Sequence, residues 1–307
     1  MLDRPEAVAA SAPPQWRDRL RDVLLRGIYS FGWRLAARLP RRLVVLIISV
    51  ASRVALRRDG IHVRTLRRNL ALATEAPVTS DLMRAALRSY LRNFYEVLAL
   101  PAWSETEIRR RVRAVNEPVV RDAHAGPGVV VALPHSGNWD LAGAWACVTG
   151  MPVTTVAEQL SDSEYAAFVA FREGLGLEVV SHRDPAALTA LIHAIQRRRV
   201  VCLLADRDLS GTGVPVSWRG QHITMPAGPA IVARRTGAAL VPAVCQFSQD
   251  GMAIIIGAPI SPRRGSHGLA AMMQDVADFF AETIARQPED WHMMQPFFSD
   301  RKPAEEA

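Results

Sequence analysis

Short apolar runs alternate with helical stretches from Gly128 onwards, and this alternation constrains the fold more than any other feature of the sequence. The runs are, in order, GVVVAL, MPVTTVA, LEVVS and VVCLLAD, and the helical stretches between them cover 140–149, 162–175 and 186–197. Strands that are apolar at consecutive positions are typical of a parallel sheet whose two faces are both covered by helices. The alternation therefore predicts an α/β fold with a central, mostly parallel β-sheet flanked by helices, an αβα sandwich.

The segments on either side of this region add helices before it and strands after it. Upstream, helical patterns cover 16–58, 66–73 and 81–100, and WSETEIRRRVRAV predicts a short helix and a strand. Downstream, GPAIVARRTGA predicts a helix, ALVPAVCQF and GMAIIIGAPI predict strands, and a last helix covers 269–286. We expect the final segment, PEDWHMMQPFF, to run back along the surface.

Basic charge is concentrated at the N-terminus. Residues 1–68 carry 15 arginines against 5 acidic residues, although the whole chain has a net charge of only +7. Because the excess lies in one segment, we do not expect nucleic acid as a partner. The arginines alternate at helical intervals with aliphatic and aromatic side chains, among them Trp16, Tyr29, Phe31 and Trp33. This pattern predicts amphipathic helices that dock on an anionic membrane surface, with a helix pair packed on the domain as the alternative.

The uncharged stretch of this N-terminal region is too short to cross a bilayer. It covers 43–52, whereas a membrane-spanning helix needs about 20 apolar residues. The first sixteen residues show no apolar signal-peptide core, so we expect a peripheral protein on the cytoplasmic face of the cell membrane. The predicted organisation is a disordered segment at 1–15 and one domain over 16–307, with basic amphipathic helices at 16–68 and an α/β catalytic core at 69–307.

The motif PHSGNWD brings a histidine and an aspartate to the end of the first strand. His135 follows the VVVALP run, and Asp140 falls in the first turn of the next helix. Asp140 could therefore orient one imidazole nitrogen and leave the other facing the cleft, which would make His135 a general base. Amides at the start of that helix could bind an anion or an oxyanion. The alternative is a capped helix with a buried histidine.

Other residue types suggest no second chemistry. The cysteines are far apart and form no CxxC pair that would indicate a disulfide framework or a zinc site: Cys147, Cys202 and Cys245. Ser136 follows the histidine, but the GxSxG pattern of serine hydrolases is absent around it. Three further histidines show no partner at an informative spacing, and we expect them on the surface or in the core: His222, His267 and His292.

Several spaced segments carry a resemblance to a known family. HSGNWD is an HxxxxD motif, and the segments that follow it in order are VAEQL, FVAFREGLGLEVV, LLADRDLSGTGVPVSWRGQHITMPAGPA, TGAALVPAV and PEDWHMMQ. In this order they resemble the HxxxxD lysophospholipid and lipid A acyltransferases, in particular the phosphatidylinositol mannoside acyltransferases of actinobacteria. The ending WHMMQPFF lacks the arginine pair that is typical of the Gram-negative lipid A branch, so the mannoside branch fits better.

This resemblance implies an acyl-CoA-dependent O-acyltransferase with a glycerolipid acyltransferase-like fold. The expected reaction moves a fatty acyl chain, such as palmitoyl, from acyl-CoA to a mannose hydroxyl of a phosphatidylinositol mannoside. His135 would be the base, and Asp140 would orient it or hold its loop. No metal or other cofactor is expected because a thioester is already an activated donor. The alternatives are another glycolipid or lysophospholipid acceptor, or a non-catalytic lipid-binding membrane protein.

The resemblance also assigns provisional roles to residues after the motif. Asp206 occupies the position of an acidic residue, usually glutamate, beside the catalytic histidine, and Asp208 is the alternative if the shorter Asp206 cannot reach. Glu158 and Arg172 match acidic and basic positions near the cleft, where Arg172 would pair with a phosphate or with Glu158. Further expected contacts with phosphate, pantetheine or the acyl chain come from these residues: Arg207, Arg219, Gly228, Trp139 and Trp145.

Overall fold

The computed structural model describes residues 38–298, with the exception of 75, 159–161, 209–210 and 266. The segment predicted to be disordered, 1–15, and the first N-terminal helical pattern lie outside the described residues. The second pattern forms a helix, Arg41–Arg58. Across the part of the chain that the structure describes, no helix has both the length and the apolar character that a bilayer span requires.

Helices and strands alternate along most of the chain. The helices are α1 (Arg41–Arg58), α2 (Ile61–Thr74), α3 (Ser80–Ala99), α4 (Glu105–Arg111), α5 (Glu117–Ala125), α6 (Trp139–Val148), α7 (Asp162–Gly174), α8 (Ala187–Gln196), α9 (Gly228–Thr236) and α10 (Gly268–Arg286). The strands are β1 (Val112–Val115), β2 (Val129–Leu133), β3 (Val153–Ala157), β4 (Glu178–Ser181), β5 (Val200–Leu204), β6 (Val214–Trp218), β7 (Gln221–Met225), β8 (Ala239–Phe247) and β9 (Met252–Ile256).

The main sheet has seven strands in the order β1-β9-β8-β2-β5-β3-β4. The β8–β9 pair is antiparallel, and every other neighbouring pair in this sheet is parallel. Strand β2 lies at the centre, and all of its side chains are buried. Val130 and Ala132 pack on one face with α2, α3, α8, α9 and α10, whereas Val129 and Val131 pack on the other face with α4, α5 and α6. The predicted α/β sandwich is therefore confirmed.

The order of the strands determines which loops meet. Strands β2 and β5 are parallel neighbours, and Leu133 at the end of β2 pairs with Leu204 at the end of β5. Loops that follow parallel neighbouring strands leave the sheet at the same edge, where ligand sites of such folds collect. His135 and Asp206 each lie two residues beyond these ends, so the topology brings them together.

A second, two-stranded sheet lies just before α9. Strands β6 and β7 form an antiparallel hairpin. Its two-residue turn is Arg219 and Gly220, with φ of 47° and 78°, which is the conformation that tight hairpins require. Two runs of alternating side chains separated by a dipeptide that ends in glycine are the sequence signal for this hairpin.

The C-terminal segment is buried, so the expectation that it runs along the surface is wrong. Trp291 is completely buried, and Met293 and Phe298 are also in the core. The Trp291 indole stacks on that of Trp218 in β6, with ring centroids 5.6 Å apart. Because the segment carries several large apolar side chains, burying them against the hairpin and sheet is favourable.

Candidate active site

His135 and Asp206 form a hydrogen-bonded pair at the end of the central strands. The imidazole Nδ1 lies 2.6 Å from Asp206 Oδ1, and the backbone N–H of His135 donates to Oδ2 at 2.9 Å. The Asp206 side chain is fully buried, whereas that of His135 is 25% exposed. Among the described residues nothing bonds to the outer ring nitrogen, Nε2. The pair therefore presents one imidazole nitrogen to the cleft and anchors the other.

The charge state of Asp206 decides what this pair can do. Burial disfavours the carboxylate, but the charge of His135 and hydrogen bonds from His135 and from the indole N–H of Trp291 more than offset burial, so the pKa of Asp206 lies below its usual value. An ionised Asp206 accepts hydrogen bonds, so Nδ1 carries the proton. The lone pair is then on Nε2, which is the tautomer that a general base needs.

Asp140 does not contact the imidazole, so its predicted role as the orienter of His135 is wrong. Its carboxylate instead accepts a hydrogen bond from Arg172 Nε at 2.7 Å. Asn138 caps α6 by accepting from the N–H of Leu141 at 2.9 Å, and Asp140 in the first helical turn is directed towards α7. Asp140 therefore links α6 to α7, and its alternative role of holding the loop after His135 stays a prediction.

Arg172 and Glu158 each have a partner other than the predicted one. The side chains of Arg172 and Asp140 are only 6% and 3% exposed, and the Arg172 guanidinium lies 4.2 Å from the centroid of the Phe168 ring. Glu158 instead pairs with Arg207 at 3.3 Å, where both side chains are about one third exposed. The expected pair of Arg172 with Glu158 is therefore wrong. A buried ion pair lies behind the motif, and a more exposed one lies beside it.

Asp208 is not the alternative orienter of the histidine. Its two carboxylate oxygens accept from the backbone N–H groups of Gly211 and Gly213, at 3.1 and 2.8 Å. These bonds fold the loop that leads into β6. Gly228 begins α9 and is partly buried, and the structure shows no hydrogen bond between it and the His135–Asp206 pair. Contacts of Arg207 and Gly228 with substrate remain predictions.

The C-terminal segment completes the site, and sequence reasoning missed this contribution. The N–H of Gly137 donates to the carbonyl of Asp290 at 3.0 Å, and the N–H of His292 donates to the carbonyl of His135 at 2.8 Å. The indole N–H of Trp291 donates to Asp206 Oδ2 at 3.0 Å. The mixture of hydrogen-bonding and aromatic residues in PEDWHMMQ is the sequence signal that could have indicated that this segment contacts the site.

Asp290 and His292 meet at the hydroxyl of Ser89 in α3. Ser89 donates to Asp290 Oδ1 at 2.5 Å and lies 2.9 Å from His292 Nε2. Burial raises the pKa of Asp290 to about 6, and burial together with the charge of His135 lowers the pKa of His292 to about 3. His292 is thus a neutral core histidine with a partner. This agrees with its expected place in the core.

An apolar cavity lies beside the pair, between α5, α6 and the sheet. Both Trp139 and Trp145 line it. The Trp139 ring meets the His135 ring edge-on, with centroids 5.3 Å apart. Asp140 and Arg172 also border the cavity, so the buried ion pair forms part of its wall.

Comparison with known proteins identifies the family of this chain. The family model for bacterial lipid A biosynthesis acyltransferases matches residues 16–300. The chain belongs to this family. Phosphatidylinositol mannoside acyltransferases from Mycolicibacterium smegmatis and from the CDC 1551 strain of Mycobacterium tuberculosis are each 40% identical to this acyltransferase over 277 residues. The alignments cover 87% of this chain, with 89% of the first relative and 86% of the second.

Proposed function

We propose that this acyltransferase moves a fatty acyl chain from acyl-CoA to a mannose hydroxyl of a phosphatidylinositol mannoside, with His135 as the general base. The observation that carries the proposal is the His135–Asp206 pair, which presents a free imidazole nitrogen beside an apolar cavity. The mannoside acceptor is suggested by the names of the relatives.

The pair supplies a base for a sugar hydroxyl. His135 Nε2 takes the hydroxyl proton as the oxygen attacks the thioester carbon, and the ionised Asp206 stabilises the imidazolium that forms. Collapse of the tetrahedral intermediate breaks the carbon–sulfur bond, and the imidazolium returns its proton to the departing CoA thiolate. The products are the acylated mannoside and CoA, and the dyad regains its starting protonation state.

The start of α6 is the proposed site for the oxyanion. The helix begins at Trp139, four residues after His135. In the first turn the N–H of Leu141 already donates to Asn138, whereas the N–H groups of Trp139 and Asp140 have no acceptor within their helix and favour negative charge. The tetrahedral intermediate places a negative oxygen near the base, so these amides are suitably located to stabilise it.

The apolar cavity is the proposed site of the acyl chain. Its lining is formed mostly by aliphatic and aromatic side chains of the sheet and of α6, including Leu133 and Trp145. A chain bound there would place its thioester near Trp139, whose ring meets the imidazole of His135 edge-on. The depth of the cavity would then select the acyl length, with palmitoyl as the expected chain.

Helix α1 supports the proposed docking on an anionic membrane. Val44 and Ser52 are buried against the domain, and the opposite face exposes a stripe of apolar side chains at helical spacing: Leu43, Leu46, Ile47, Val50 and Val54. Arginines stand at both ends of the helix. This combination favours a peripheral position on a lipid surface, which we place at the cytoplasmic face of the cell membrane because the proposed donor is acyl-CoA.

A transfer assay tests the proposal. Radiolabelled palmitoyl-CoA is incubated with the protein and a purified mono- or dimannosylated phosphatidylinositol, with lysophosphatidic acid or buffer as the other acceptors. We expect label on the mannoside, and we expect the His135→Ala variant to lose about 10²- to 10⁴-fold in rate. His222→Ala, an exposed histidine in the hairpin strand β7, is the matched control and should retain full activity.

Each other outcome contradicts a specific part of the proposal. Label only on lysophosphatidic acid would replace the mannoside with a different acceptor. Release of CoA with water as the sole acceptor would make the protein a thioesterase. Lipid binding without turnover, unchanged by His135→Ala, would favour a non-catalytic lipid-binding protein.

A further inference from the structure

The C-terminal segment holds the loop that carries His135. Ser136 and Trp291 form an antiparallel bridge, and the bonds from Gly137 to Asp290 and from His292 to His135 flank it. Two segments that lie far apart in the sequence therefore form one short ladder. This ladder places the indole of Trp291 against Asp206.

The Asp206 carboxylate accepts three N–H donors from the described residues. Two come from His135, through its ring to Oδ1 at 2.6 Å and through its backbone to Oδ2 at 2.9 Å. The third is Trp291 Nε1, which donates to Oδ2 at 3.0 Å. The first two donors belong to the motif loop, whereas the indole belongs to the C-terminal segment. The indole therefore fixes the plane of the carboxylate from outside the His135–Asp206 pair.

Trp291 is itself held rigidly. Its side chain is completely buried, its ring is stacked on Trp218 at an interplanar angle of 13°, and the edge of Phe297 meets it at 4.9 Å between centroids. The adjacent Asp290 carboxylate accepts from the N–H of Phe247 at 2.5 Å. An indole packed in this way cannot swing away from Asp206 without disturbing the core.

We propose that Trp291 is a positioning residue of the acyl transfer reaction, which acts through its N–H donor on Asp206 and thereby holds the carboxylate that orients His135. The inference rests on the proposed function of His135 as the base. Trp291 does not line the apolar cavity, so its role is exerted through Asp206.

Loss of this donor has a defined electrostatic consequence. The Trp291 hydrogen bond is one of the interactions that keep the pKa of Asp206 low against the effect of burial. The titratable groups that face Asp206 are His135 and His292, while neighbouring Arg207 and Asp208 are bonded elsewhere. Without the indole N–H the carboxylate takes up a proton at higher pH. As pH falls, the variant should therefore lose activity at a higher pH than the wild type.

Trp218 provides a matched control. It is as completely buried as Trp291 and stacks on it, but its Nε1 has no hydrogen-bond partner among the described residues. Trp218→Phe therefore removes the same atoms from the same aromatic cluster without removing a bond to Asp206. A purely structural role for the cluster predicts similar effects of the two substitutions on activity.

The experiment compares Trp291→Phe and Trp218→Phe in full pH–rate profiles with palmitoyl-CoA and a mannoside acceptor. For Trp291→Phe we expect kcat to fall about ten-fold with little change in KM, as for other residues that orient a reacting group, and the acidic limb to move up by about half a pH unit. Trp218→Phe should leave the acidic limb in place. Equal profiles for the two variants would overturn the proposal.

A second measurement needs no turnover and applies even if Trp291→Phe does not fold. The indole N–H resonances of the full-length protein are compared with those of Asp206→Asn by NMR. Loss of the carboxylate charge should move the Trp291 resonance and leave that of Trp218 unchanged; an unmoved Trp291 resonance would overturn the contact. If His135→Ala retains its transfer activity while the Trp291 resonance moves, the proposed function fails but the contact stands.

Discussion

Asp206 lies 71 residues after His135 in the sequence, yet its carboxylate accepts from the imidazole Nδ1 at 2.6 Å. Asp140, only five residues after the histidine, binds Arg172 instead. The motif and the resemblance placed both Asp140 and Asp206 beside His135, but only Asp206 contacts it in the structure. Asp206 forms a pair with the histidine, and Asp140 forms a buried ion pair behind the motif.

Isosteric amide substitution of the two aspartates should separate these roles. Asp206→Asn keeps the shape of the side chain but removes the charge that stabilises an imidazolium. The amide also favours the wrong tautomer of His135, so we expect kcat to fall by about 10⁴-fold, as in a serine protease triad. Asp140→Asn should retain activity within about ten-fold and mainly lower the stability of the fold. Steady-state kinetics beside thermal unfolding measures both, and a greater loss of kcat in Asp140→Asn would contradict the assignment.

The buried ion pair predicts a strong coupling between Asp140 and Arg172. Removing one partner leaves a charge buried without compensation, which costs about 3–5 kcal/mol of the free energy of unfolding. We expect Arg172→Met alone to be destabilising by this amount, and the double variant Asp140→Leu/Arg172→Met to be less destabilised than the two single effects together. Urea unfolding in a double-mutant cycle measures the coupling; strictly additive effects would argue against the pair.

Two groups that meet at Ser89 should make opposite contributions to the pH dependence of stability. Burial raises the pKa of Asp290 to about 6. Its contribution to the free energy of unfolding is therefore present at low pH and is lost as pH rises through about 6. Burial lowers the pKa of His292 to about 3, so its contribution is present above the usual histidine range and is lost as pH falls towards 3. Between about pH 4 and 6 the two dependences oppose each other.

Substitution of one group should expose the dependence of the other. Asp290→Asn should make the free energy of unfolding rise with pH between about 4 and 6, by up to about 1.4 kcal/mol per pH unit more than in the wild type. His292→Gln should have the opposite effect in the same interval. Urea unfolding at several pH values checks the signs, and identical slopes in the two variants would refute the proposed charge states.

The exposed stripe on α1 should control membrane affinity without affecting the fold. Ile47 and Val50 are 49% and 47% exposed, so substituting both with serine removes apolar surface that only a lipid phase would bury. We expect binding to anionic vesicles to weaken by about ten-fold or more, with unchanged thermal stability. Phe94→Ser removes an equally exposed apolar side chain of α3 and is the control. Vesicle co-sedimentation measures the difference, and equal losses would argue against α1 as the docking face.

The sequence by itself determined the class of fold and the position of His135. Consecutive apolar residues in runs such as VVVAL, separated by helical stretches, can bury both faces only in a helix-covered parallel sheet. His135 stands at the end of β2 for a local reason as well, because the apolar run stops at Pro134.

Only the tertiary structure decided which groups surround that histidine. Asp206 reaches it because β2 and β5 are neighbours in the sheet, and the sequence does not encode strand order in any local pattern. Trp291 reaches Asp206 because the C-terminal segment is buried against the β6–β7 hairpin, which depends on packing between segments far apart in the chain. Local periodicity is set by neighbouring residues, whereas hydrogen-bond partners across strand ends are set by how the whole chain buries its apolar surface.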